Sequence, residues 1–125
     1  MRPRILCVED NPQNMRLVRK ILTTAGYEVF EAVDGISGIE LAERERPNLI
    51  LMDVNLPDID GLEATARLKQ QETFAGTPII ALTANAMHGD RERCLDAGCN
   101  GYIPKPITKN ELLNTVAHFL AMPLS

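Results

Sequence analysis

The sequence predicts an α/β protein in which a parallel sheet carries helices on both faces. Two observations lead there. Short unbroken apolar runs recur along the chain and close on polar residues, as strands buried on both faces do. Between them lie segments whose apolar residues repeat at helical spacing, so strand and helix alternate about five times. Crossovers between parallel strands are then right-handed. The 125 residues and 45% hydrophobic content suit one domain with one core.

The first run, residues 4–8, closes on Glu9 and Asp10. Asn11 offers an N-cap and Pro12 suits the first helical position. Met15, Val18, Ile21, Leu22 and Ala25 then repeat at helical spacing, and Gly26 is a natural stop. Residues 28–32 alternate polar and apolar, as a half-buried edge strand would. Asp34 and Gly35 open a second helix with Ile36, Ile39, Ala42 and Leu41 turned inward, which Pro47 ends. Residues 48–53 form the most apolar run, and it ends on Asp53. The following stretch, with Pro57, Asp58, Asp60 and Gly61, is a loop. Asp60 can cap a helix carrying Leu62, Ala66 and Leu68, and residues 70–76 read as polar loop. Residues 77–83 form a further buried strand ending on Thr83. Residues 84–97 form a weaker, more polar helix, interrupted near its start by His88, Gly89 and Asp90. Residues 101–105 form a short strand ending on Lys105. The last helix has a capping box of Thr108 and Glu111 and a staple of Ile107 with Leu112. Leu112, Leu113, Val116, Phe119 and Leu120 supply its buried stripe.

Composition narrows the function. No apolar run approaches the length of a bilayer span, and residues 1–4 lead straight into a strand, so a soluble cytoplasmic protein without membrane contact is expected. A net charge of −4 with scattered Lys and Arg argues against nucleic-acid binding. Cys7, Cys94 and Cys99 lack zinc-ligand spacing and read as reduced structural thiols.

Ligands of open parallel sheets bind beyond the carboxyl ends of the strands. Those ends carry Glu9 and Asp10, Asp53, Thr83 and Lys105. Singly, each has an ordinary structural explanation: a solvated helix entry, a loop start, a helix cap, a surface charge. Together they make a site. Crowded carboxylates repel, and a hard divalent cation relieves them, which points to Mg²⁺ rather than a thiophilic metal. A hydroxyl and an ammonium opposite the cation suit a phosphoryl group. Asp53 is then a carboxylate nucleophile, Lys105 neutralises phosphoryl charge, and Thr83 donates a hydrogen bond.

Val8-Glu9-Asp10-Asn11, Leu51-Met52-Asp53-Val54-Asn55-Leu56-Pro57, Ala81-Leu82-Thr83-Ala84 and Tyr102-Ile103-Pro104-Lys105-Pro106 occur in this order. With these motifs the chain resembles the receiver domain of two-component response regulators over nearly its whole length. The stretch around Thr83 to Met87, with Cys94 to Gly98, is similar to receivers of hybrid kinases and of stand-alone phosphorelay regulators of the DivK type. The resemblance implies a flavodoxin-like, CheY-like fold of strand order 2-1-3-4-5. It implies Asp53 as phosphoacceptor, Asp10 as a direct Mg²⁺ ligand, Glu9 acting through water, and Asn55 lending its backbone carbonyl. Thr83 would be the switch hydroxyl, Tyr102 the aromatic that moves with it, and Lys105 the phosphoryl partner, followed by a cis bond to Pro106. Asn55 and Asn85 occupy positions that tune dephosphorylation in such proteins. The phosphoryl donor would be a sensor histidine kinase or a histidine phosphotransfer protein, and output would pass to a downstream protein target. The chain is expected to be one receiver, residues 1–125, without an effector domain. It would not be an enzyme beyond catalysing its own phosphorylation and dephosphorylation. His88 and His118 read as surface residues.

Three rival readings are weaker. A flavodoxin-like cofactor binder needs a phosphate loop after the first strand, where this chain has acids. A phosphohydrolase of the aspartate class commonly has a second acid where Asn55 stands. A docking module without phosphorylation would have no use for the intact set of acids, Thr83 and Lys105.

Overall fold

The computed structural model of the chain describes residues 2–84, 89 and 91–121. Strands and helices alternate: β1 (Arg4–Val8), α1 (Pro12–Thr24), β2 (Glu28–Ala32), α2 (Gly35–Glu45), β3 (Leu49–Asp53), α3 (Gly61–Lys69), β4 (Ile79–Thr83), α4 (Arg91–Ala97), β5 (Gly101–Pro104) and α5 (Lys109–Ala121). The strands form one parallel sheet in the order β2-β1-β3-β4-β5. Both the alternation and the flavodoxin-like order agree with expectation. The order reverses between β1 and β3, and that switch point is where a parallel sheet opens a crevice for a ligand.

Every residue of β3 and β4 is buried. Side chains of a strand alternate between faces, so a central strand must be apolar on both. Leu49 and Leu51 face a core shared with Met15, Val18 and Leu22 of α1 and Leu112 and Val116 of α5. Ile50 and Met52 face the other core, with Ala42 of α2 and Ala64 and Leu68 of α3. β2 is one of the two edge strands and leaves Glu28 and Glu31 exposed.

Helix starts follow local capping chemistry. Asn11 Oδ1 accepts from the amides of Gln13 at 2.9 Å and Asn14 at 3.1 Å. Thr108 Oγ1 accepts from the Glu111 amide at 3.3 Å, and Ile107 and Leu112 are buried in the same core, as the staple requires. α2 has a second acceptor besides its own cap Asp34: Asp58, from the loop after β3, accepts from Gly35 N at 2.7 Å and Ile36 N at 2.8 Å. No local rule reveals that bond, which ties the β3 loop to the start of α2.

Several expectations need correction. Ile36 is 41% exposed, and the inward face of α2 is instead Gly35, Gly38 and Ala42, with Ile39 and Leu41 partly covered. Ala25 caps α1 and is exposed, and in α3 the buried small residues are Ala64 and Thr65 rather than Ala66. The stretch 70–76 is not simply polar loop. A 3₁₀ turn, Glu72–Phe74, buries the Phe74 ring, and Lys69 Nζ donates to the carbonyls of Phe74 and Thr77. Ala84 lies in a bend rather than a helix; of the helix expected over 84–97, the described residues show Gly89 and Arg91–Ala97 as helical. Asn85, Met87 and His88 lie outside the described residues. Among the described residues no helix is long and apolar enough to cross a membrane.

Asp58 generates a pH prediction. What cover it has opposes ionisation, but the amides of Ile36 and Gly35 outweigh that and hold its carboxyl down at about 2. A depressed acid contributes stability above its ordinary titration range and loses it as pH falls through about 2. Asp58→Asn should therefore unfold at lower urea than the wild type at pH 7, with the gap closing towards pH 2. A constant gap across that range would contradict the account.

Candidate functional site

The site is built at the carboxyl ends of β1, β3 and β5. Val8 pairs with Met52, so Glu9 follows on beside Asp53, each next in the alternation after Cys7 and Leu51. Both acids are covered: Glu9 is 1% exposed and Asp53 2%. Lys105 arrives from the other side because its amide donates to Thr83 O at 2.8 Å, extending the β4–β5 ladder past Pro104. The Lys105–Pro106 bond is cis. Lys105 Nζ lies 3.1 Å from Glu9 Oε1 and 3.1 Å from Asp53 Oδ2, so one ammonium bridges two buried carboxylates.

The remaining carboxylate oxygens meet backbone donors. The Asn55 amide donates to Asp53 Oδ1 at 3.1 Å, and the Asn11 amide to Glu9 Oε2 at 3.2 Å. Glu9 Oε1 is different: it is buried, close to Lys105 in charge contact, and has no well-directed hydrogen bond.

The electrostatics are those of two acids sharing one cation. Burial pushes Asp53 up, the hydrogen bond and the negative charge of Glu9 push it further, and Lys105 opposes them; the carboxyl stands at about 7. Burial would raise Glu9 too. Its bonds with Asp53 and the Asn11 amide, with the charge of Lys105, reverse the direction and hold it below the ordinary carboxylate range. The two acids therefore titrate as a pair rather than as separate groups. Burial would lower Lys105, but the charges of Asp53 and Glu9 outweigh it and keep the ammonium protonated.

Asp10, exposed at the rim, completes an acidic cluster. One carboxylate oxygen each from Glu9, Asp10 and Asp53 lies within 4.8 Å of the others, the one such grouping among the described residues. An all-oxygen set with an unsatisfied buried oxygen on Glu9 fits a hard divalent cation and not a thiophilic one.

The chain compares closely with known proteins. The family model described as "Response regulator receiver domain" matches residues 5–117. The chain belongs to the receiver domain family of response regulators. It is 42% identical over 116 residues to the polar-differentiation response regulator DivK of Brucella anthropi, covering 93% of this chain and 94% of that protein. The solved receiver domain of a sensor histidine kinase from Pseudomonas aeruginosa, with a magnesium ion coordinated in its active-site cleft, is 44% identical with a TM-score of 0.91, covering 98% of this chain and all of that one. The chemotaxis response regulator CheY4 of Vibrio cholerae superposes with a TM-score of 0.91 at 29% identity, over 95% of this chain and 99% of that one.

In this receiver Glu9, Asp10, Asp53 and Lys105 converge as the sequence analysis expected. Asn55 is on the loop just past Asp53, its amide on the carboxylate. Thr83 is 1% exposed and one residue past Leu82, the register partner of Asp53. Tyr102 is half-buried against a small cluster of Val54, Leu62, Ala81, Cys94 and Cys99.

One site residue escaped the sequence reading. Gly61 opens α3 directly against the end of β3, where Asp53 sits: its amide donates to Val54 O at 2.9 Å, and a Cβ there would overlap the Asp53 carbonyl oxygen. A glycine after an N-cap aspartate signals a turn, not this approach. Gly61→Ala must push the Asp53 backbone and should cost about 1–3 kcal/mol in urea unfolding; wild-type stability would refute the contact.

Asp53 also sets the pH dependence. Its pKa is raised on folding, so its ionisation erodes stability as pH rises from the ordinary carboxylate range towards about 7. Asp53→Asn, with a chelator present, should be more stable than the wild type at pH 8, on the order of 1–2 kcal/mol, because Lys105 offsets part of the cost of the buried charge. The difference should shrink towards pH 4. A less stable variant at pH 8 would refute the raised pKa.

Proposed function

We propose that this receiver is a phosphorylation switch: Asp53 accepts a phosphoryl group from a phosphohistidine with Mg²⁺ at the acidic cluster. The observation that supports it most is the Lys105 ammonium held 3.1 Å from a buried Asp53 carboxylate oxygen. That is the position for neutralising phosphoryl oxygens once one is joined to Asp53. Asp10 would hold Mg²⁺ directly, Glu9 through water, with Asp53 and the Asn55 carbonyl completing the protein's share; the magnesium in the Pseudomonas receiver supports the same ion here. Bound there, the ion would supply positive charge to the transferring group.

The chain's own residues do the rest. Asp53 loses its proton as cationic charge gathers beside it, and its oxygen attacks phosphorus in line while the bond to the histidine nitrogen breaks. Lys105 leaves Glu9 partly to follow the new oxygens. Thr83 donates its hydroxyl to the phosphoryl group, and Tyr102 repacks. Tyr102 also lines a groove between β5 and α5 with Pro104, Thr115 and Phe119, so its movement alters a surface that a downstream protein target can read. Phosphorylation biases two states through contacts that differ between them. The donor is a sensor histidine kinase or a histidine phosphotransfer protein, and the catalysis is confined to the chain's own Asp53.

Incubation with Mg²⁺ and a small acyl phosphate should add the mass of one phosphoryl group. Asp53→Ala and a chelator should each abolish the gain, and Lys105→Ala should slow it on the order of 10²-fold. An undiminished gain in Asp53→Ala would overturn the proposal.

A further inference from the structure

Cys94 and Cys99 take no part in the phosphoryl chemistry, yet the fold holds them together. α4 ends in a Schellman motif. Gly98 adopts φ +106°, its amide donates to Leu95 O at 3.0 Å, and the Cys99 amide donates to Cys94 O at 2.9 Å. This turn folds the second residue past the cap back onto the third from the helix end, and apolar side chains at those positions touch. Here the two positions are Cys99 and Cys94. They are 5% and 1% exposed in one small cluster, where the Cys99 thiol also donates to Thr65 Oγ1 at 4.0 Å. The third cysteine, Cys7, is in β1 within a separate core. Asn100, directly after Cys99, is fastened to β4: its amide donates to Ile79 O at 2.8 Å, and its Oδ1 accepts from Ile79 N at 3.0 Å.

We propose that Cys94 and Cys99 are a dithiol modification site at which a two-electron oxidant of the peroxide class closes a disulfide across the end of α4. Both are in the reduced thiol form, outside any disulfide. One thiolate attacks a peroxide oxygen, the O–O bond breaks, and the released hydroxide takes a proton to leave as water. The second sulfur then attacks the resulting sulfenic sulfur, whose hydroxyl departs as water with the second thiol's proton. Two thiols and one hydrogen peroxide become one disulfide and two waters, and the two electrons lost by sulfur are gained by oxygen.

Burial makes the site slow at rest: it pushes the Cys99 thiol up to about 12, which starves it of thiolate. Reaction waits for the last turn of α4 to open. Once formed, the disulfide holds that turn shut and ties it, through Asn100, to the start of β4. Tyr102 packs on the same cluster, so the bond also fixes the wall on which that ring rests. None of this requires phosphorylation.

The test treats the full chain with stoichiometric hydrogen peroxide, without Mg²⁺ or a phosphoryl donor, then unfolds it in maleimide. The treated protein should carry one label, on Cys7, against three for the reduced protein. The peptide containing Cys94 and Cys99 should be lighter by two hydrogens, and reductant should restore it. Cys94→Ser and Cys99→Ser should give no linked peptide. In the linked wild type, amide exchange over residues 94–99 should slow by about tenfold or more. Three labels after treatment, a bond involving Cys7, or sulfinic acid on one cysteine without a bond would each overturn the site. A linked peptide with unchanged exchange would overturn the latch.

Discussion

The structure depends most on one ammonium between two acids. Lys105 stands between Glu9 and Asp53, both nearly out of contact with water. Without it two buried carboxylates would face each other across the mouth of the sheet, an arrangement that low-dielectric surroundings make costly. The residue that permits this directly follows β5, while the acids follow β1 and end β3. The whole width of the sheet from the switch point to β5 must therefore be in register for the cleft to exist.

That dependence explains why the cleft is poised. Glu9 and Asp53 hold a proton between them, Lys105 neutralises what remains, and Asp10 waits at the rim with its carboxylate in range. A second cation brought near these oxygens displaces the proton instead of adding to a settled arrangement. The place for further positive charge is the buried Glu9 oxygen that lacks a directed donor.

The sequence exposed the strands and the acids because both follow short-range rules. The apolar runs of β1, β3 and β4 are continuous, and each gives way to a polar residue: Glu9 after β1, Asp53 at the end of β3 and Thr83 at the end of β4. Strand order came from the family likeness, since hydrophobic runs carry no information on which strand lies beside which. Contacts made across the fold were invisible: Asp58 reaching α2, Gly61 against the Asp53 carbonyl, and Asn100 on Ile79. Ile36 misled because helical spacing marks a face without saying how much of it the sheet covers, and the close approach of Gly38 to Val8 turns that face onto small residues. Phe74 was hidden in a polar stretch because one aromatic has no period.

The missing Cβ of Gly61 has a mechanical consequence. With no side chain between them, the main chain of Asp53 and the first turn of α3 behave as one block, and Asp58 bolts the adjoining loop to α2. Load applied to the carboxylate finds no give on that flank. It is carried instead towards β5 and the seven residues of α4, where the elements are shorter and Tyr102 is only half-enclosed.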